Sequence, residues 1–457
     1  MIYFICRFFI FVGMKNIPII EQAIKALGIE SLTPMQEDTV NHATDKRDVI
    51  LLSPTGSGKT LAYLLPLLVM LAERGKREGS YALVLAPSRE LAVQVNRVFT
   101  SLKSGFGSVC CYGGHSMVEE KKSLQANDAV VIIGTPGRIL DHIERGNLNT
   151  SSIELLTIDE FDKALELGFH EEMSKIIDLL PILNRRFLLS ATDAKEIPQF
   201  TGVGRVLKLD YLDEKEELEE RLDQVIVNSP QKDKLDTLYQ LLCTFGGAST
   251  IVFCNHREAV DRINSYLVEQ KVESEGFHGG MEQDHRERSL YKFSNGTANV
   301  LVSTDLASRG LDIPEVQKVV HYHLPVNEEA FTHRNGRTAR WQSTGASYII
   351  LHGEESVPVY VSGNISTFEF PDYIPAPTRS EWATIYIGKG KKDKVNKIDI
   401  VGLFCKKGKL KGEDLGRIDV KDHFAYIAVR RKHVKQLLKL LQGEKIKGSK
   451  TIFQEAY

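Results

Sequence analysis

A glycine-rich segment carries the residue types that phosphate binding needs. It reads SPTGSGKT, occupies residues 53–60, and lies between the strand pattern DVILL and the helical pattern LAYLLPLLVMLAERG. Between a strand and a helix, such a loop turns backbone N–H groups toward phosphate oxygens. We predict that Lys59 contacts the outer phosphates and that the Thr60 hydroxyl binds Mg²⁺. The predicted loop ligands are Ser53, Pro54, Thr55, Gly56, Ser57, Gly58, Lys59 and Thr60.

An acidic segment, DEFD at residues 159–162, directly follows the buried-strand pattern LLTI. Taken alone, three acids after a strand would indicate a solvated turn. In a parallel α/β sheet, however, nucleotide sites lie beyond the carboxyl ends of the strands, so these acids should face the Lys59 loop. We therefore predict that Asp159 holds Mg²⁺ through a water molecule and that Glu160 orients and deprotonates the attacking water.

The elements that must position these residues are short apolar runs alternating with helical patterns. Such runs predict parallel sheets covered by helices on both faces. They fall at 49–52, 82–86, 129–133, 154–158 and 186–190, and then at 250–254, 299–303 and 316–322. We predict an α/β fold with two tandem lobes, 14–209 and 225–365, joined by a charge-dense connector at 210–224. A proline-containing linker at 366–381 leads to an α+β domain at 382–457.

Composition narrows the class of protein. A chain of 457 residues with 42% hydrophobic and 26% charged residues favours two to four cored domains. Its six cysteines form no CxxC pair, which favours a reduced, cytoplasmic protein without structural zinc. The apolar residues 1–13 are too short to span a bilayer. We expect them to be a start-site artefact or a disordered tail rather than a membrane anchor.

The C-terminal segment differs in charge from the rest of the chain. Residues 382–457 hold 19 Lys and Arg against 8 Asp and Glu, whereas residues 1–381 hold 39 against 52. A basic module on an acidic body predicts contact with a polyanion, although it could also be a merely soluble basic domain. The pattern of this segment predicts a βαββαβ order. Candidate nucleic-acid contacts are Tyr386, Lys389, Lys391, Lys392, Lys406, Lys407, Phe424 and Tyr426.

Ten motifs in order resemble those of the DEAD-box RNA helicases over residues 14–365. They are TPMQ (33–36), SPTGSGKT, PSRELA (87–92), GG (113–114), TPGR (135–138), DEFD, SAT (190–192), HGGMEQDHR (278–286), STDLASRGLD (303–312) and HRNGRTAR (333–340). The resemblance implies two RecA-like lobes that close on ATP and RNA together. Residues 383–457 resemble the RNA-binding domain of bacterial DbpA-type members, an RRM-like fold, which implies docking on 23S ribosomal RNA and on ribosomal precursor particles of the large subunit.

The resemblance assigns further roles. Gln36 would bond adenine, and Gly310 and Asp312 would approach the nucleotide and its ribose. Ser190 and Thr192 would bond Asp162 and couple hydrolysis to RNA. Arg337 and Arg340 resemble arginine fingers, which stabilise charge on the transferring phosphoryl group. The predicted RNA-backbone contacts of the two lobes are Arg89, Gly113, Gly114, Thr135, Arg138, Gln283 and Thr304.

Some positions depart from the family pattern, and two rival functions stay open. Phe161 replaces the usual Ala and is expected to pack behind the acids, and Ile19 stands where the family has an aromatic residue that stacks on adenine. Ser88 and Ala339 replace a Thr and a Gly. We predict a monomeric ATP-dependent RNA helicase that opens short duplexes. The alternatives are an ATP-gated RNA clamp or chaperone with little unwinding, and a DNA helicase, which the Gln36 motif and the RNA-type tail disfavour.

Overall fold

The structure is a computed structural model in which most of the chain is described. The described residues are 17–54, 56–75, 78–126, 129–193, 197–212, 222–305, 316–338, 345–361 and 364–456. The predicted N-terminal tail and most of the predicted connector lie outside these ranges, as do four predicted site residues: Thr55, Gly310, Asp312 and Arg340. These predictions therefore remain predictions.

Lobe 1 is built on a seven-stranded parallel sheet of order β3-β4-β2-β5-β6-β1-β7. Its strands are β1 (Asp48–Leu52), β2 (Ala82–Leu85), β3 (Gly107–Cys111), β4 (Ala129–Gly134), β5 (Leu155–Ile158), β6 (Arg185–Ser190) and β7 (Val206–Asp210). β1, β2 and β5 are buried along their whole length, because helices cover both faces of the sheet. The helices are α1 (Ile17–Leu27), α2 (Pro34–Asn41), α3 (Lys59–Arg74), α4 (Arg89–Ser101), α5 (Met117–Gln125), α6 (Pro136–Glu144), α7 (Phe161–Glu166) and α8 (His170–Asp178).

Lobe 2 repeats this design. Its sheet is parallel, and its order, β10-β11-β9-β12-β13-β8-β14, is the order of lobe 1 shifted by seven strands. The strands are β8 (Leu222–Ser229), β9 (Thr250–Cys254), β10 (Ser274–Phe277), β11 (Val300–Thr304), β12 (Lys318–His321), β13 (Gly345–His352) and β14 (Ile365–Thr367). The helices are α9 (Leu235–Thr244), α10 (Arg257–Glu269), α11 (Gln283–Ser294) and α12 (Glu328–Asn335).

The C-terminal domain has a four-stranded antiparallel sheet of order β16-β17-β15-β20. Its elements are β15 (Trp382–Ile387), α13 (Lys397–Lys406), β16 (Leu415–Val420), β17 (Ala425–Arg430), α14 (Arg431–Leu441), a small hairpin of β18 (Lys445–Ile446) and β19 (Ser449–Lys450), and β20 (Phe453–Glu455). Alternate residues Ala383, Ile385 and Ile387 of β15 are fully buried in this domain's own core. The predicted βαββαβ order is present, with the β18–β19 hairpin inserted.

The predicted fold class is therefore confirmed, but the strand list was incomplete. All eight predicted runs form strands, whereas β3, β7, β8, β10, β13 and β14 were not predicted. β7 and β14 lie at sheet edges and expose much of their surface, so neither reads as a continuous apolar run. β8 was hidden because its first residues belong to the charge-dense connector pattern.

The chain divides into two compact units. Lobe 1 forms the first, and lobe 2 together with the C-terminal domain forms the second. A search of the described residues shows no helix that is both long and apolar enough to cross a membrane.

Candidate nucleotide site and RNA-contacting surfaces

The glycine-rich loop joins β1 to α3 in a shape that requires glycine. Gly56 and Gly58 have φ angles of 88° and 95°, a left-handed region that other residues adopt at a cost. Gly58 precedes Lys59, the first residue of α3, and no side chain caps that helix N-terminus. Lys59 Nζ donates hydrogen bonds to the carbonyl oxygens of Ser53, at 2.5 Å, and Pro54, at 3.3 Å. An uncapped helix start beside a buried ammonium group suits a phosphate anion.

Gln36 lies against this loop. It sits in the first turn of α2, where it completes a capping box with Thr33, and it is 4% exposed. Its Nε2 donates to Gly58 O at 3.3 Å, and a Cβ atom at residue 58 would come within 2.6 Å of that nitrogen. The predicted adenine contact is therefore held next to the phosphate loop. Ile19 packs against the lobe 1 core from its partly buried position on α1.

The acids follow β5 as predicted from the strand pattern. Asp159 is 2% exposed and accepts hydrogen bonds from Tyr63 Oη, at 3.1 Å, and from the Glu160 N–H, at 3.0 Å. Burial raises the pKa of Asp159, and the Lys59 charge acts in the opposite direction. Glu160 has a φ of 48°, which costs about 1 kcal/mol or more in a residue with a Cβ.

The oxygen atoms at this site fit Mg²⁺. Thr60 offers a hydroxyl and Asp159 offers a carboxylate, which are the hard oxygen ligands that Mg²⁺ prefers, often through water. The raised pKa of Asp159 shows that its charge is poorly solvated in the protein alone, and a nearby dication would stabilise that charge. The residues present therefore suit the ion.

Asp162 links the acidic segment to the next strand of the sheet. Its Oδ2 accepts from Thr192 Oγ1 at 3.0 Å and from the Ala191 N–H at 3.2 Å. Ser190 was expected to bond Asp162 as well, but its hydroxyl donates to Thr192 O at 2.6 Å. Ser190 therefore shapes the turn, and Thr192 makes the contact. Phe161 is 3% exposed in the apolar core behind the acids, the packing expected from the sequence.

The predicted RNA contacts of lobe 1 come together in space. A Cβ atom at Gly113 would lie 3.2 Å from Arg89 Nη2, so the first residue of α4 reaches the Gly113–Gly114 turn. Thr135 is the N-cap of α6. Arg138 points into the protein rather than outward: its Nε donates to Glu120 Oε2 at 2.6 Å, and its Nη2 donates to His115 O at 2.7 Å.

Glu120 was missed at the sequence level, although a signal was present. Met117, Glu120 and Leu124 have helical spacing, which places an acid on the apolar side of the short helix α5. A carboxylate at such a position needs a buried partner, because an unpaired buried charge is strongly unfavourable. The sequence alone did not show that Arg138 is that partner.

In lobe 2 the predicted residues occupy separate elements. Gln283 begins α11, Thr304 ends β11, and Arg337 is 3% exposed just after α12. Arg334 is held by the lobe itself: its Nε and Nη2 donate to the two oxygens of Asp305 at 2.6 and 2.7 Å. Such a bidentate pair makes Arg334 structural.

The C-terminal domain presents its outer sheet face to lobe 2. Tyr426 is 5% exposed and stacks on Tyr291 of α11, with ring centroids 5.0 Å apart. Thr384 Oγ1 accepts from Asn295 Nδ2 and pairs with Thr297 Oγ1, each at 2.9 Å. Tyr426 was predicted to stack on RNA, but in this structure lobe 2 covers its ring.

Other candidates in the C-terminal domain remain at the surface. Tyr386 and Phe424 are partly buried neighbours, with ring centroids 5.7 Å apart. Lys389 pairs with Asp393 at 2.8 Å. Lys391, Lys392, Lys406 and Lys407 are exposed. The exposed candidates are thus mainly lysines rather than stacking rings.

Comparison with known proteins agrees with this geometry. Three family models match successive parts of the chain: DEAD/DEAH box helicase over residues 33–200, helicase conserved C-terminal domain over residues 233–342, and DbpA RNA binding domain over residues 384–454. The ATP-dependent RNA helicase DbpA of Escherichia coli (strain K12) is 33% identical over 439 residues, which are 93% of this chain and 94% of that protein.

Two further comparisons extend this result. The ATP-dependent rRNA helicase RRP3 of Meyerozyma guilliermondii is 34% identical over 390 residues, covering 83% of this chain and 80% of that protein. The solved structure of S. cerevisiae Dbp5 bound to RNA and ADP BeF3 has a TM-score of 0.66 at 27% identity, covering 74% of this chain and 88% of that one. The chain belongs to the DEAD-box family. It is an ATP-dependent RNA helicase with a DbpA-type RNA-binding domain, it uses a nucleotide, and it binds RNA.

Proposed function

We propose that this helicase locally unwinds or remodels 23S ribosomal RNA during large-subunit assembly. It would act on ribosomal precursor particles as a cytoplasmic monomer, with ATP and Mg²⁺. The proposal of ATP hydrolysis rests on the buried Asp159 beside the Lys59 charge, with Glu160 next in the chain. The ribosomal part is supported by the DbpA-type domain and by a relative that is named an rRNA helicase.

Hydrolysis would use groups from both lobes. Lys59 and the N–H groups of the glycine-rich loop would hold the phosphates, and Glu160 would orient the attacking water and accept its proton. Mg²⁺, held by Thr60 and through water by Asp159, would neutralise charge on the phosphate oxygens when bound. Arg337 and Arg340 would stabilise the charge of the transition state, so hydrolysis would require lobe closure.

RNA would be coupled to this reaction through Asp162. Its bonds to Thr192 and to the Ala191 N–H tie the acidic segment to the end of β6. Closure on one RNA strand, gripped through its phosphates and sugars, would bend that strand and open a short duplex. Contacts to the backbone position RNA without reading its sequence, so target choice would fall to the C-terminal domain.

The variant Glu160→Gln tests the catalytic assignment. It keeps the side-chain shape and the predicted Mg²⁺ ligands but removes the base, so we expect ATP binding with hydrolysis reduced ~10²–10⁴-fold. RNA should remain bound while ATP is present. Glu171→Gln, an exposed change on α8 of the same lobe, is the matched control. Near wild-type turnover in Glu160→Gln would refute the role of Glu160.

A duplex assay separates unwinding from the alternative of an RNA clamp. With ATP, wild-type protein should release one strand of a short duplex attached to a 23S fragment. If instead it binds RNA in an ATP-dependent way and releases no strand, the clamp or chaperone interpretation is correct.

The double variant Lys391→Glu/Lys392→Glu tests the targeting role of the C-terminal domain in the full chain. Both lysines are exposed, so the fold should persist. The variant should bind a 23S fragment more weakly than wild type, and the difference should be largest at low salt, because phosphate contacts contribute most to affinity there. Lys271→Glu, an exposed lobe 2 change, is the control. If wild-type protein binds 23S fragments and random RNA of equal length equally well, the targeting proposal fails.

A further inference from the structure

A buried carboxylate in lobe 1 joins the two segments that are proposed to grip RNA. Glu120 lies in α5 and is 1% exposed. Its Oε1 accepts from the Tyr112 N–H at 3.0 Å, and its Oε2 lies 2.6 Å from Arg138 Nε and 2.8 Å from His142 Nε2. His115 Nδ1 is 3.3 Å from Oε1. One side chain thus meets four groups.

These partners are placed around the predicted RNA contacts. Tyr112 directly precedes the Gly113–Gly114 turn, and His115 directly follows it. Arg138 belongs to the first turn of α6, and its Nη2 closes the network by donating to His115 O at 2.7 Å. The turn and the start of α6 are therefore connected through Glu120 and Arg138, and not only through the sheet.

The backbone of the Gly113–Gly114 turn and of the first turn of α6 leaves room for a ligand to come close. Gly114 has a φ of 89°, which favours glycine. A Cβ atom at Gly137 would meet no atom within 4 Å, so the first turn of α6 borders open space. The Thr135 side chain makes no capping hydrogen bond there. A helix start of this kind can offer its N–H groups to a phosphate.

We infer that Glu120 is a positioning residue for the RNA grip, and that Arg138 acts through Glu120 rather than by touching a phosphate. The inference rests on the proposed function, since it concerns the residues that function assigns to RNA. Glu120 sets the separation between the Gly113–Gly114 turn and the start of α6. That separation must match the spacing of phosphates along one RNA strand.

The charge state of Glu120 supports this arrangement. Burial alone would raise its pKa, but the surrounding hydrogen bonds, from His115, His142, the Tyr112 N–H and Arg138, bring the pKa down to about 2. The carboxylate is therefore ionised and matched to the Arg138 guanidinium. Cys111 Sγ and His142 lie within 4.8 Å of Glu120, but a metal would compete with Arg138 for a carboxylate that is already neutralised.

The test uses the full chain and a single-stranded RNA, and it separates RNA affinity from turnover. Glu120→Gln removes the charge, and Glu120→Ala also removes the hydrogen bonds to the turn. We expect the RNA concentration for half-maximal ATPase to rise ~3–10-fold for Gln and ~10-fold or more for Ala, since bonds to charged groups are among the strongest. The rate at saturating RNA should change less than about twofold.

A matched control is Asp48→Asn. Asp48 is also a buried carboxylate, 5% exposed, and it accepts from the Arg186 and Gly204 N–H groups at 2.7 Å each. It begins β1, whereas the phosphate loop follows the other end of that strand. This variant should lower the melting temperature without changing the half-saturating RNA concentration.

A double-mutant cycle tests the part played by Arg138. If Arg138 acts only through Glu120, then Glu120→Gln/Arg138→Gln should bind RNA about as well as the weaker single variant. Additive losses, or a salt slope for Arg138→Gln lower by ~0.7, would show a direct phosphate contact and overturn the inference. Lower melting temperatures with unchanged RNA half-saturation in both Glu120 variants would also overturn it. Failure of the proposed function would look different, because wild-type protein would then release no strand from a 23S duplex or would bind 23S and random RNA equally well, whereas the Glu120 test compares variants on one single-stranded RNA.

Discussion

The two lobes share one strand order but use the loop after the first strand differently. In lobe 1, β1 leads through the glycine-rich loop to Lys59, which donates to carbonyl oxygens of that loop. In lobe 2, β8 leads to Lys234 just before α9, and Lys234 Nζ donates to Ile350 O at 2.8 Å and pairs with Glu355 at 2.5 Å. Lys234 is therefore paired with a carboxylate just after the end of the neighbouring strand, whereas Lys59 lies in a glycine-rich loop at the uncapped start of α3.

The fifth strand shows the same contrast. β5 of lobe 1 ends at Ile158 and is followed by Asp159 and Glu160, whereas β12 of lobe 2 ends at His321 and is followed by Tyr322 and His323. Burial lowers the pKa of His321 to about 3 and that of His323 to about 4, so both are neutral at physiological pH. The same strand order thus carries two acids after its fifth strand in lobe 1 and two neutral histidines at the corresponding place in lobe 2, and the residues at the strand end decide which.

The substitution with the largest expected effect, Arg337→Ala, tests whether lobe 2 contributes to ATP hydrolysis. Arg337→Ala should lower RNA-stimulated ATPase by ~10³-fold or more, because an arginine finger stabilises charge in the transition state. Arg334→Ala is the contrasting change, since it removes a buried ion pair with Asp305 and should instead destabilise the fold by about 3 kcal/mol. Turnover and thermal melting of both variants distinguish the roles. A loss below about tenfold for Arg337→Ala would make Arg337 structural.

Substitutions of Lys59 and Lys234 test the difference between the two first-strand loops directly. Lys59→Ala should reduce ATPase by ~10²–10³-fold, because a positioned charge at the phosphates is lost. Lys234→Ala should leave the Glu355 charge without its partner and cost about 2 kcal/mol of stability, a value reduced because Glu355 is partly exposed. The comparison would be wrong if Lys234→Ala abolished ATPase in a stably folded protein.

Phe161→Ala tests whether the ring at the catalytic edge only fills the core. The side chain is 3% exposed, so its removal should cost about 3–5 kcal/mol, with ATPase roughly kept in the folded protein. Denaturant unfolding and turnover below the melting range check this. Unchanged stability with lost ATPase would instead place Phe161 in the coupling of the acids to the rest of lobe 1.

The smallest expected effect is a dependence of lobe 2 stability on pH. His321 is fully buried and bonds Asn335 and Ser347, each at 3.0 Å. Because its folded pKa is lowered, the unfolded state binds a proton below about pH 6.5 while the folded state does not. His321 by itself should therefore lower the free energy of unfolding by about 2 kcal/mol at pH 5. Wild-type and His321→Gln melting curves at pH 7 and pH 5 measure it, and equal pH dependence would exclude His321 as the cause.

Sequence alone determined the parts of this protein that depend on local backbone and chain order. The phosphate loop needs glycines at fixed positions between a strand and a helix, so its pattern is visible in eight consecutive residues. The acids at the end of β5 follow from the direction of parallel strands, which brings the ends of separate strands to one edge. Phe161, noted as a departure from the family's usual Ala, was expected to pack behind those acids, and it does.

Only the tertiary structure decided which partners distant side chains have. Period-2 alternation could not decide whether Tyr426 faces solvent or the core, and only the folded structure shows that Tyr291, 135 positions earlier, covers that ring. Glu120 was not predicted: its helical spacing with Met117 and Leu124 is visible in the sequence, but its pairing with Arg138 depends on where α5 and α6 lie in the folded lobe. The strand or helix to which a residue belongs can be read from its neighbours in the chain. Which side chain it contacts depends on elements that come together only after folding.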